Sequence, residues 1–310
     1  MPLKWKSKTL LAKIETVSGT DAVPTAAANG VLATNVTLSP MEGEDVSRNL
    51  DLPYMGASPS IPVGLRSMLS FDVELVGSGA LGTAPAFGPL LRMCAVAEVI
   101  TAGVKVEYNP ITDAHESGSI YFAIDTIRHV LTGARGTAVF KLNAQGIPVI
   151  SFAITGLFNL PSDQAKVTPV FTAWQDPTVA TKANTPTFTI ANTAFVLRDF
   201  SLDLGCQVEP RMLIGSESIL IVDKAEQFKA TVEAVPLATY NPYQVAQAQT
   251  KQAVQLVHGT VASKRWTLDQ PRAQQRRLAS LENAQNILEW PLQFDPLPNA
   301  GNDQWKLTFA

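Results

Sequence analysis

The sequence predicts a mainly β protein with two short helices, arranged as two tandem β-sandwich or barrel domains, each flanked by one α-helix. Three observations carry this expectation. Segments such as 69–75 alternate apolar and polar residues, the period of a strand with one face in a core and one in water. A strand-turn-strand at 138–158 recurs in kind at the C-terminus, where 290–294 and 305–309 flank a turn. The order arm, strand, long loop, strand, helix, further strands also occurs twice. At 310 residues the chain has room for two domains of ordinary size, each with its own core.

Residues 1–31 carry few apolar residues in any period and are broken by Gly19, Pro24, Asn29 and Gly30. They read as an extended N-terminal arm with one short strand at 10–14. Segment 32–38 alternates, with Leu32, Val36 and Leu38 on one face. From 39 to 66 the pattern vanishes among Pro40, Gly43, Pro53, Gly56, Pro59, Pro62 and Gly64. That stretch reads as a long functional loop. In 69–75, Leu69, Phe71, Val73 and Leu75 oppose Ser70, Asp72 and Glu74. Phe87, Leu90, Leu91 and Cys94 have helical spacing within 85–97, and Pro85 suits a helix start. Strands at 104–108, 120–124 and 127–131 lead to the strand-turn-strand, which closes a first domain over 32–158.

Segment 159–193, with eight threonines and four prolines, reads as a linker or second arm with short strands at 170–174 and 187–190. A second domain then spans 194–310. Its strand at 195–204 sets Phe200, Leu202 and Leu204 against Asp199, Ser201 and Asp203. A loop at 205–226 precedes a strand at 227–233. A helix is expected at 242–258 from Val245, Ala248, Gln252 and Leu256, with Gly259 as its stop. Strands at 265–268, 278–281 and 287–294 follow.

Composition narrows function. Hydrophobic residues are 46% and charged residues 16% of the chain, which leaves surface suited to burial against other subunits. A net charge of −3 gives no broad basic field for a nucleic-acid binder. Lys4, Lys6, Lys8 and Lys13 are not followed by the apolar run of a signal peptide. No run reaches the length of a membrane span. Cys94 and Cys206 form no metal or redox spacing, and a reducing cytoplasm is the expected place of folding.

No catalytic motif survives inspection. Gly77-Ser78-Gly79-Ala80-Leu81-Gly82 matches G-x-G-x-x-G, but Asp72 and Glu74 make the preceding strand half-wet, and Thr83-Ala84-Pro85 separates Gly82 from the helix. His115, His129 and His258 have no partners at ligand spacing. Glu42, Glu44 and Asp45 lack the apolar surroundings that raise a carboxyl for acid-base work and read as a contact loop. Arg272, Arg276 and Arg277 read as a subunit ion-pairing patch. Neither an enzyme nor a cofactor site is expected.

The stretches Leu11-Ala12-Lys13-Ile14-Glu15-Thr16, Gly19-Thr20-Asp21-Ala22-Val23-Pro24-Thr25 and Leu38-Ser39-Pro40-Met41-Glu42-Gly43 resemble the N-terminal region of tail tube (major tail) proteins of long-tailed, non-contractile bacteriophages. The wording is closest to siphophages of Pseudomonas-type hosts. The resemblance covers about the first 60 residues; beyond them it is architectural. It implies a structural virion protein that polymerises into stacked rings around a channel for DNA, assembled in the host cytoplasm into the virion tail. Rings of six domains are implied; two domains per chain then give trimeric, pseudo-hexameric rings, with true hexamers as the alternative. Implied partners are a tape measure protein in the lumen, tail terminator and distal tail or baseplate proteins, and passing DNA bound without sequence specificity; no membrane is implied. Ring stacking would use the arm and the long loop, through Leu11, Ile14, Met41, Glu42, Glu44, Asp45, Tyr54 and Met55. Asp72, Glu74, Asp199, Asp203 and Glu233 are the candidate lumen-facing carboxylates. Other readings are a tube-forming secretion-system protein and a β-sandwich adhesin or binding module.

Overall fold

The computed structural model describes residues 2–310; Met1, the first residue of the expected arm, lies outside them. Strands β1 (Lys8–Ile14), β2 (Thr34–Ser47) and β3 (Ser60–Glu74) precede a five-residue helix, α1 (Gly88–Arg92). Then come β4 (Val96–Thr101), β5 (Lys105–Pro110), β6 (Gly118–Ile124), β7 (Ile127–Asn143) and β8 (Val149–Phe158). The connection onward holds β9 (Ser162–Asp163), β10 (Thr187–Ile190) and β11 (Thr193–Ala194). It leads into β12 (Leu197–Asp203), β13 (Cys206–Leu213), β14 (Ser216–Lys224), β15 (Gln227–Glu233) and α2 (Pro242–Gln247). The chain closes through β16 (Lys251–His258), β17 (Trp266–Gln275), β18 (Glu282–Ala284), β19 (Ile287–Pro296) and β20 (Lys306–Phe309).

Among the described residues, eighteen strands join in one antiparallel sheet, and β13 with β14 forms a separate hairpin. The pairings trace two series of the same order. The first runs β1–β6–β7–β8–β3–β2. The second runs β10–β16–β17–β19–β15–β12. They meet where β7 pairs with β12, from Val139 opposite Asp203 to Asn143 opposite Asp199. The 17-residue β7 is long because it serves two neighbours on this edge, β6 along its first half and β12 along its second. The sheet then curls back through β17–β20–β5–β4. Aromatic contacts close the two layers on each other: Phe140 on Trp305, Phe200 on Trp266, and Phe188 on Phe228. The buried side chains of both halves run together into one cluster, not into two separate cores.

Several sequence expectations are corrected. The stretch 39–66 is not an unstructured loop: β2 and β3 pair as far as Ser47 opposite Ser60. Its apolar period vanished because neither side of this projecting hairpin is covered, so backbone pairing alone holds it. Its register shifts lie between Ser39 and Glu44, around Pro40 and Gly43, as breakers in a strand require. The loop at 205–226 is likewise a hairpin, β13–β14.

Both helices are shorter than expected. Phe87, Leu90, Leu91 and Cys94 are buried as foreseen, but Ala95 at φ +56° ends the turn and Val96 opens a strand. Helix α2 is capped by Asn241, whose side chain accepts from the Tyr243 and Gln244 N–H groups. It stops before Gln249 at φ +54°, and 251–258 is a strand with Gln252, Val254, Leu256 and His258 buried. Residues four apart satisfy a period of 2 as well as one of 3.6, which is why Ala248, Gln252 and Leu256 misled.

The expected strand at 170–174 is absent; that segment packs across the first arm, with Val170 N–H on the Ala26 carbonyl and the Trp174 indole on the Gly30 carbonyl. Nor does 278–281 form a strand.

The N-terminal arm is bedded into the sheet. Every residue of β1 pairs with β6, and Leu10, Leu11 and Ala12 are buried. At its end, the Glu15 carboxylate accepts from Ser117 Oγ (2.7 Å), Ser119 Oγ, Gly133 N–H and Gly19 N–H (2.8 Å each). Four donors converging on one buried carboxylate make Glu15 a tie between the arm, β6 and β7. Glu15→Ala strands those donors, and a loss of roughly 3 kcal/mol in urea unfolding is expected.

His258 ties the 178–185 segment to the end of β16. Its ring nitrogens lie 3.0 Å from Thr178 Oγ1 and 2.9 Å from Thr185 Oγ1. Burial pulls its pKa below the ordinary 6.5. The unfolded chain therefore takes up the proton first, and this contribution is present above pH 6.5 and is lost as pH falls below it. Unfolding midpoints should drop between pH 7.5 and 5.5, and His258→Gln should flatten that drop.

Candidate assembly surfaces

Strands β3, β8, β7, β12, β15 and β19 lie side by side across both halves. Alternation then decides what each face carries. Phe71, Phe152, Phe140, Leu202, Phe228, Ala230 and Leu292 point into the core. The opposite face carries Asp72, Glu74, Ser151, Lys141, Asp199, Ser201, Asp203, Lys229 and Glu233 on the same strands. All five candidate lumen carboxylates thus fall on one polar face of one sheet, and each is half-buried.

Local partners fix several of them. Asp72 accepts from Asn35 Nδ2 at 2.8 Å, and Asp203 accepts the Gly205 N–H at 2.8 Å. Thr231 Oγ1 donates to Asp199 at 3.1 Å. Burial raises the pKa of Asp199 against the pull of Thr231 and Arg198. Burial also raises that of Glu74, helped by repulsion from Asp176.

The second surface is a pair of hairpins. On β2 and its tip, Met41, Glu44, Asp45, Tyr54 and Met55 are exposed, as are Leu50 and Leu52, while Glu42 is half-buried. The second hairpin, absent from the sequence-based site, exposes Leu213 and Ile214 at a two-residue tip. The two hairpins lie beside each other, since a Cβ on Gly64 would stand 4.0 Å from Met212 Cγ. Two residues expected to stack belong elsewhere. Leu11 is only 4% exposed and Ile14 packs on the core, both held by their own chain.

The remaining motifs have structural roles. A Cβ on Gly77 would meet the Ser263 carbonyl at 2.2 Å, and one on Gly82 the Gly103 nitrogen at 2.2 Å. These glycines let turns touch and do not cradle a phosphate. Arg276 pairs in its own chain, Nε lying 2.8 Å from both Asp295 carboxylate oxygens. Cys206 Sγ lies 3.4 Å from the Cys94 carbonyl oxygen; both cysteines are buried and free, and burial raises both thiol pKa values. Among the described residues, no group of three or more His, Cys, Asp or Glu could hold a metal, and no helix is long and apolar enough to cross a membrane.

A wide polar sheet face beside two projecting, apolar-tipped hairpins marks a protein whose surfaces serve assembly. Residues 5–287 match the sequence model of the phage tail tube protein family, and the chain belongs to that family. It is accordingly a structural component of the virion tail that self-assembles into a tube. No curated protein matches it.

A carboxylate whose pKa is raised by burial weakens the fold once ionised. Asp199→Asn should therefore match or exceed the wild-type melting temperature at pH 7.5. The advantage should fade as pH falls toward the ordinary carboxyl value of 3.8.

Proposed function

We propose that three copies of this chain close into a pseudo-hexameric ring, and that rings stack into the tail tube of a long-tailed, non-contractile phage. The observation that carries this reading is the repeated pairing order, β1–β6–β7–β8–β3–β2 and β10–β16–β17–β19–β15–β12. Each series is one tail-tube-like unit, the first in 32–158 and the second in 194–310, with 1–31 and 159–193 as their leading segments. Two units per chain make three chains equivalent to six single-unit subunits. A head-to-tail contact that closes gives a ring, and stacked rings give a tube.

The polar face of the joined sheet lines the lumen. Asp72, Glu74, Asp199, Asp203 and Glu233 then coat the channel with negative charge, which keeps a passing polyanion from adhering. DNA travels through without sequence readout, after a tape measure protein has occupied the lumen during assembly in the host cytoplasm. A terminator and distal tail or baseplate proteins cap the two ends. Stacking falls to the β2–β3 hairpin, through Met41, Glu42, Glu44, Asp45, Tyr54 and Met55, and to the short segment ahead of β1, where Leu3 and Trp5 are exposed.

Cryo-electron microscopy of assembled tubes decides stoichiometry: three chains per ring are expected, and six would replace the trimer with a true hexamer. Changing Leu50, Leu52, Tyr54 and Met55 together to serine should leave the circular dichroism and melting temperature unchanged. Tube length should fall by at least ten-fold, since an exposed apolar tip contributes to contacts between rings and not to the fold. Tubes of normal length would remove the hairpin from stacking.

A further inference from the structure

The second strand series is incomplete where the first is complete. In the first, the C-terminal half of β7 lies between β8 and β12. In the second, the corresponding stretch is 276–284, which pairs with β19 only through Glu282–Ala284 and the Arg276 N–H on the Gln293 carbonyl. Among the described residues, its other edge has no strand beside it, and at the far end of the same sheet β2 pairs with β3 alone.

Register follows from matching the last pair of each series, Glu74 with Val149 in the first and Glu233 with Glu289 in the second. Phe71 faces Phe152 and Val73 faces Ile150; Ala230 faces Leu292 and Val232 faces Trp290. Ile150 and Trp290 therefore hold equivalent places, as do Val149 and Glu289. Val149 faces Lys141, and Glu289 faces Glu282, so Glu282 stands where Lys141 does and Leu281 where Phe140 does. In the same way, Leu202 faces Phe228 and Leu38 faces Leu69, so Leu38 stands where Leu202 does. Phe140 and Leu202 are directly opposed at the junction within the chain.

Resting on the ring reading above, we propose that 280–284 of one copy pairs antiparallel with the free edge of β2 in the next copy, with Leu281 opposite Leu38 and Glu282 opposite Thr37. The side chains suit the contact. Leu281, Ile287 and Leu288 are 56%, 48% and 47% exposed around an uncovered edge, while Val36 and Leu38 already pack on the core. Ser280 would face Ser39, so the polar residues align on the lumen side. In the free chain, Lys8 Nζ sits 3.4 Å from the Val36 carbonyl oxygen. A lysine on an open edge discourages indiscriminate strand addition, and it must swing away for the edges to meet. Complementary edges at opposite ends of one sheet make a head-to-tail contact, the kind that closes into a ring when its rotation allows.

The test places cysteines at Thr37 and Glu282 of the full chain and applies copper-catalysed air oxidation to assembled tubes. Denaturing, non-reducing gels should show a covalent ladder ending at the closed ring. The Asn35→Cys/Glu282→Cys pair, two residues out of register, should cross-link at least ten-fold more slowly. Tubes that form but stay uncross-linked, or equal rates for the two pairs, overturn the register and leave the tube reading standing. A wild-type chain that forms neither rings nor tubes overturns both. As an independent arm, Leu281→Lys should keep the wild-type melting temperature yet fail to form rings, and normal rings from it also overturn the proposal.

Discussion

The antiparallel pairing of β7 with β12 is the constraint on which the rest of the molecule depends. Five residues on each strand join two strand series into one sheet. Because side chains alternate, this register sends Phe140 and Leu142 to the same side as Phe200 and Leu202. A slip of one residue would turn the apolar pair of one strand, Phe140 and Leu142 or Phe200 and Leu202, into water and bring its polar neighbours to the core side. One register thus sets both the continuity of the core and the continuity of the polar face. The length of β7 is explained by the same demand, since a shorter strand would reach β6 but not β12.

The carboxylates on the polar face run against stability. Burial raises the pKa of Glu74 and Asp199, so their ionised forms are the less favoured ones where they stand. A sheet face selected for stability alone would replace them with threonine or asparagine at little cost. On the lumen reading proposed above, that cost would be offset by a charged surface facing whatever passes in front of it. Glu15 offers the contrast: its four hydrogen-bond donors make it a stabilising carboxylate away from that face.

What the sequence revealed depended on whether burial imposed a period. Strands with one wet face, such as 69–75 and 227–233, were legible because every second side chain meets the core. The carboxylate face was legible for the same reason. The β2–β3 hairpin was not, because 41–66 projects into solvent and no period marks it; the β13–β14 hairpin buries Ile219 and Ile221, and only its tip projects. Helix α2 was overextended because Ala248, Gln252 and Leu256 fit two periods at once. The junction itself left no local signal, since pairing between distant strands depends on which edges remain free. The arm's burial was hidden in Leu10-Leu11-Ala12, a run too short to show any period.

The two hairpins differ greatly in reach. One ends in the twelve residues 48–59, the other in Ile214 and Gly215 alone. In the three-chain ring proposed above, tall and short teeth would alternate, so turning it by one sixth would not reproduce it. Six equal teeth would allow a neighbour to seat in twice as many equivalent orientations. Alternating teeth would then act as a key, and halving the ways to seat a ring would also halve the ways to seat it wrongly.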